Sequence, residues 1–261
     1  MLKRPLALIL CLIAFNALAE TPEEKGLAIA QESDRRDQGF GDSSVDLEMA
    51  LKNRHGEESR RKLRIATLEV KSDGDKGLSI FDSPADVKGT ALLTFSHKVA
   101  DDDQWLYLPA LARVKRIASA NKSGSFMGSE FAYEDIGSQE VEKYTYKYLR
   151  EETYEGVPCL VMERYPVSPY SGYKRQLVWF DKAEYRPFKI DYYDRKDSLL
   201  KTLTWKDYKQ YLNKHWRASE MNMLNHQSGK STLLIWSNYK FHVGLKDTDF
   251  NEASLKRASV C

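Results

Sequence analysis

The chain has 261 residues, 30% of them charged, and a formal net charge of +2, a length that suits one large β domain or two small domains with a substantial core. The near balance of 40 basic and 38 acidic residues argues against a general nucleic-acid binder, which carries a basic excess. Three cysteines in a chain of this size are not a disulfide framework.

The N-terminus reads as an export signal. Lys3 and Arg4 are positive, Leu6 to Phe15 are apolar, and Ala17-Leu18-Ala19 forms a small-x-small cleavage site, so residues 1–19 are expected to be removed and Glu20 to begin the mature chain. The apolar run is shorter than the roughly 20 residues that span a bilayer. Cys11 is read as signal-peptide filler, because Leu10 stands where a lipidation signal has a small residue. Loss of Lys3 and Arg4 leaves the mature chain formally neutral. Cys159, in an apolar strand-like run, either packs as a buried free thiol or bridges to Cys261.

Thr21-Pro22-Glu23-Glu24 predicts a helix with a capping box and Pro at its first position, ended by Gly39 or Gly41. Its apolar stripe, with Leu27, Ala28 and Ala30, is narrow, so the helix should lean on another element. From Ser44 the period becomes two: Val45, Leu47, Met49 and Leu51 alternate with polar residues, and Ser59 to Val70 returns after the turn at Asn53–Gly56. Strands follow at 77–81 and 89–97, then at 143–152, 157–165, 173–180, 187–193, 199–210, 214–224 and 232–241. Turn-like residues separate them, including Glu155-Gly156 and Ser228-Gly229. This spacing predicts a meander of ten or more antiparallel strands, curling toward a barrel to manage its edges, in one domain spanning 20–261. The tail, Asp247 to Val260, is polar and suits a short helix.

Trp105 to Ile136 breaks the hairpin rhythm. An aromatic strand passes through Pro109 and a basic cluster into a Ser/Gly loop, then into a segment mixing aromatics with carboxylates. It is expected to supply part of the mouth or lid of a sheet that shelters an apolar ligand.

The five histidines lack zinc-site spacing, and Asp101-Asp102-Asp103 lacks the spaced oxygens and glycine of a calcium loop, so it reads as a solvated turn. Gly124-Ser125-Phe126-Met127-Gly128 has Phe where a nucleophile elbow needs Ser. Glu134-Asp135 is too ordinary a pair in so charged a chain to signal glycosidase chemistry. Arg113, Lys115 and Arg116 read as a face of a solvated strand or as a patch for anionic head groups. Tyr144, Tyr146 and Tyr148 line one face of a strand, and an apolar inner face of this kind suits an acyl chain.

Trp105–Ala110, Arg113–Ile117, Gly124–Ser129 and Tyr133-Glu134-Asp135, with the upstream Val87-Lys88-Gly89-Thr90, together resemble the bacterial outer-membrane lipoprotein-sorting protein family, a LolA-like group of periplasmic proteins. The resemblance implies a curved, incompletely closed antiparallel β-barrel with helices covering its apolar concave face. It further implies a non-enzymatic, cofactor-free, monomeric periplasmic carrier or acceptor of lipid or lipoprotein acyl chains, exchanging cargo with an inner-membrane exporter or outer-membrane acceptor. The alternative is an envelope sensor or exporter-associated partner-binding module on the same fold. Trp105, Tyr107, Phe126, Met127, Phe131 and Tyr133 are the expected lipid-facing residues, with Arg113, Lys115 and Arg116 meeting a head group or partner.

Overall fold

The computed structural model describes residues 20–257, so the expected signal peptide, Cys11 and Cys261 lie outside the described residues. Among these residues, thirteen strands form one antiparallel sheet built as two meandering arms. The first arm comprises β1 (Asp42–Lys52), β2 (Glu58–Leu68), β3 (Lys76–Ser83), β4 (Ala91–Phe95), β5 (Asp103–Leu108) and β6 (Arg113–Ile117). The second comprises β7 (Tyr144–Tyr154), β8 (Val157–Pro166), β9 (Tyr173–Asp181), β10 (Pro187–Asp194), β11 (Leu199–Tyr211), β12 (His215–Asn225) and β13 (Ser231–Phe241). Residue alternation and turn chemistry specify each hairpin locally, and the arms join where β1 pairs with β13, Met49 facing Leu234.

That topology decides the fate of residues 118–143. β6 and β7 are consecutive in the chain yet lie at opposite edges of the sheet, and they do not pair with each other. The connection must therefore travel from edge to edge, and it does so across the concave face. Register shifts at Ser44/Asp46, Tyr148/Arg150 and Tyr192/Tyr193 bend the strands and help the sheet curl. The result is the expected curved, incompletely closed barrel.

Inward positions follow the period of two. Leu47, Met49, Leu63, Phe81, Met162 and Val178 are buried together on the concave side. Helix α1 (Pro22–Asp37) has its capping box at Thr21 and Glu24, ends one residue before Gln38, and buries Gly26, Ile29 and Ala30. It leans on β7. A Cβ on Gly26 would stand 2.9 Å from the backbone nitrogens of Lys147 and Tyr148, so only glycine lets the helix approach this closely. Gly39 and Gly41 follow with φ of +96° and +75°, and their amides donate to the Glu69 carboxylate at 2.6 and 2.8 Å.

The opposite, convex face carries a second apolar cluster, with Ala91, Leu93 and Tyr107 at its centre. The polar tail does form a short helix, α2 (Glu252–Arg257), and its two large apolar residues complete that cluster: Phe250 is 3% exposed and Leu255 0%. Cys159 is a buried free thiol beside Val161 and Trp179, its Sγ donating to the Val157 carbonyl at 3.4 Å.

Candidate functional site

Between α1 and the crossing stretch, the concave face bounds a half-open cavity of about 1220 Å³. Its walls include Leu47 and Met49 of β1, Ile65 of β2, Ile190 of β10, Trp205 of β11 and Trp236 of β13. Each is an inward residue of an alternating strand. Ala30 of α1 and Phe126, Phe131 and Val141 of the crossing stretch complete the enclosure.

The rim is polar and mixed in charge, with Asp34, Asp75 and Glu140 alongside Lys71 and Lys98. Burial pushes the carboxyls of Asp34 and Glu140 above their ordinary values. It pushes Asp75 up to about 7, although the Val70 amide donates to it.

The crossing stretch is seated by a network that reaches into the apolar interior. Asp135 and Lys201 form an ion pair at 2.8 Å with side chains only 7% and 5% exposed. The Asp135 carboxylate also accepts from the Tyr173 hydroxyl and, at 2.7 Å, from the Ala132 amide, while the Lys201 ammonium donates to the Glu130 carbonyl at 2.8 Å. Beside it, Glu134 accepts from Ser171 Oγ at 2.7 Å and the Gly172 amide at 2.8 Å. Burial raises the phenols of Tyr173 and Tyr192, which surround the Lys201 ammonium, well above the usual tyrosine range. Both carboxylates and the ammonium of the network are engaged, as a low-dielectric interior requires.

The sequence-predicted residues are only partly brought together. The Ser/Gly segment is a tight reversal, with the Phe126 amide donating to the Phe131 carbonyl at 2.7 Å and Met127 and Gly128 at positive φ, and it presses both phenylalanines into the interior. Both line the cavity; Met127 and Tyr133 pack against the same core behind them. Trp105 and Tyr107 lie on the other face, in the cluster that α2 covers, because Gln104, Leu106 and Leu108 take the inward positions of β5. The basic trio also divides. Arg113 and Lys115 share the inward side of edge strand β6, opposite Leu108 and Leu106, whereas Arg116 turns to the other side and pairs with Asp103.

Asp101, Asp102 and Asp103 are a brace in place of the solvated turn expected. Asp101 holds Lys122 at 2.8 Å and Ser168, and Asp102 holds Lys143 at 2.5 Å, tying the crossing stretch to the β4–β5 and β8–β9 loops. His97 lies between Asp73 and Asp103, at 2.6 and 3.3 Å. The important residues that sequence reasoning passed over are Arg164 and Lys201. Each was detectable as a charge at an inward position of an alternating strand, Leu160-x-Met162-x-Arg164 and Lys201-x-Leu203-x-Trp205.

A family model described only as an uncharacterized protein matches residues 73–257. No curated protein matches the chain. Among solved structures, a domain named for outer membrane lipoprotein sorting, from Vibrio parahaemolyticus, is 58% identical, with 90% of this chain and 100% of that one covered and a TM-score of 0.89. A DUF1329 family protein from Desulfovibrio piger is 32% identical, covering 90% and 99%, with a TM-score of 0.85. A LolA superfamily protein from Nitrosomonas europaea, 19% identical over 88% and 98%, shares the fold with a TM-score of 0.71.

Proposed function

The chain belongs to the LolA-like family of outer-membrane lipoprotein-sorting proteins, and from that premise we propose that it is a periplasmic carrier or acceptor whose concave cavity shelters the acyl chains of a lipid or lipoprotein. The observation that carries this reading is the apolar cavity of about 1220 Å³ beneath α1 and the crossing stretch, above the roughly 300–1,000 Å³ of ordinary small-molecule sites. Acyl chains in water cost about 0.8 kcal/mol per CH₂, on the order of 10 kcal/mol for a long chain. A soluble carrier must replace the bilayer with a protein interior, and a concave sheet with two covers does so without breaking a bond.

In this reading the signal at residues 1–19 delivers a monomer to the periplasm, where an inner-membrane exporter or an outer-membrane acceptor exchanges cargo with it. Native mass spectrometry of gently purified protein, with extraction of bound lipid, is expected to find acyl-containing species. Protein that is consistently empty and takes up neither lipid nor acylated peptide overturns the proposal.

A further inference from the structure

Arg164 sits at the inward side of β8, paired across the sheet with Tyr146 of β7 and Gln176 of β9, and it lines the cavity. It is 8% exposed. Its Nε donates to Gln176 Oε1 at 2.6 Å, and its guanidinium lies 4.4 Å from the Tyr144 ring centroid. Among the described residues, no carboxylate forms an ion pair with it and its terminal nitrogens make no hydrogen bond.

This is unusual for a buried charge, which is normally paired because desolvation is so costly. Other cations of the same interior follow the rule: Lys201 holds Asp135, and Arg186 holds Asp181 at 3.0 Å. Two carboxylates of the same interior are committed elsewhere, Asp135 to Lys201 and Tyr173, and Glu134 to Ser171 and Gly172. Arg164 thus spends its Nε on Gln176 and its face on Tyr144, while its two terminal nitrogens and its formal charge have no anionic partner among the described residues. A guanidinium presents those nitrogens as a fork matched to carboxylate or phosphate oxygens.

We propose that Arg164 is an internal anchor for an anionic head group, so that the cavity takes a long-chain amphiphile bearing a carboxylate or phosphate and holds it head inward. The inference rests on the acyl-cavity reading and adds a selectivity to it. Apolar walls hold the chain, and the unpaired guanidinium distinguishes a charged head from a neutral one of equal length.

The test uses Trp205 and Trp236, which line the same cavity, as reporters. Quenching by 9,10-dibromostearic acid and by the corresponding dibromostearyl alcohol is titrated at pH 8 into native protein, Arg164→Met and Arg164→Lys, and oleoyl lysophosphatidic acid and inorganic phosphate are added as competitors. The native protein is expected to hold the acid about tenfold or more tightly than the alcohol. Arg164→Met is expected to reduce that ratio to below about twofold by weakening the acid alone, and Arg164→Lys to keep part of it. Competition by the lysophosphatidic acid extends the anchor to phosphate heads, and its failure confines the anchor to carboxylates. Equal binding of acid and alcohol by the native protein overturns the anchor and leaves the acyl cavity standing. Binding of neither overturns both. Displacement by inorganic phosphate at concentrations as low as the lipid requires makes the site a phosphate site and also overturns the proposal. If Arg164→Met does not fold, the native acid-to-alcohol ratio decides alone.

Discussion

The two faces of the sheet are both apolar and both covered, but they are covered in different ways. On the convex face, the tail inserts Phe250 and Leu255 among Ala91, Leu93 and Tyr107, and Lys76 pairs with Asp247 at the margin. On the concave face, α1 and residues 118–143 also insert apolar residues, Ile29, Phe126 and Phe131, but they are further tied down by directional polar contacts: Lys201–Asp135, Arg217–Asp37 and Lys143–Asp102. An apolar knob consumes the space it enters, because interiors pack to crystal-like density. A cover fixed through hydrogen bonds and ion pairs can stand over a space without filling it. The difference teaches that the cavity is a product of how its covers are attached as much as of what lines it.

The strongest way to break this contrast is to remove the buried latch. Lys201→Ala leaves the Asp135 carboxylate charged and unpaired in the interior, and is expected to cost about 3–5 kcal/mol in urea unfolding. The double replacement Lys201→Met with Asp135→Leu removes both charges and should cost clearly less than Lys201→Ala alone; a double variant as unstable as the single one would show that the pair's charges are not the cause.

A smaller effect is expected on the convex face. Leu255→Ala empties a fully buried position and should cost about 2–4 kcal/mol, close to the usual range for core leucines. Since its neighbours belong to the other cluster, acyl-probe binding in the concave cavity is expected to be unchanged. Lost binding in a folded Leu255→Ala protein would mean that the two faces are coupled.

The smallest effect concerns pH at the rim. Asp75, raised from 3.8 to about 7 by burial, takes up a proton more readily in the folded chain than in the unfolded one. Its contribution to stability is therefore fully present below about pH 4, declines as pH rises toward 7, and is lost above that. Asp75→Asn is expected to stabilise the protein by about 1–2 kcal/mol at pH 8 and to change little at pH 4. Equal thermal shifts at both pH values would contradict this account.

Much of the architecture was legible because strand and turn signals are local. Val45, Leu47, Met49 and Leu51 announce both their strand and its buried face, and Thr21 to Glu24 announces the helix start. Phe126 and Phe131 were recognisable as candidate cavity residues because large aromatics in a Ser/Gly loop need a place to bury. Trp105 and Tyr107 were grouped with them on proximity in the chain, but alternation along β5 sends them to the face opposite Leu106. That face has an apolar cluster of its own only because the tail returns to cover it. Nothing in the short-range pattern of Phe250 and Leu255 names the surface on which they land.

The sequence by itself determined the strands, their inward and outward alternation, the capped helix and the family likeness, since each depends on residues a few positions apart. Only the tertiary structure decided that β1 meets β13, and hence that β6 and β7 stand at opposite edges and residues 118–143 must cross the concave face. It also decided that Lys201 finds Asp135 while Arg164 finds no carboxylate among the described residues. Pairing across such distances depends on where the curled sheet brings its inner faces together, and electrostatic partners are chosen by that geometry.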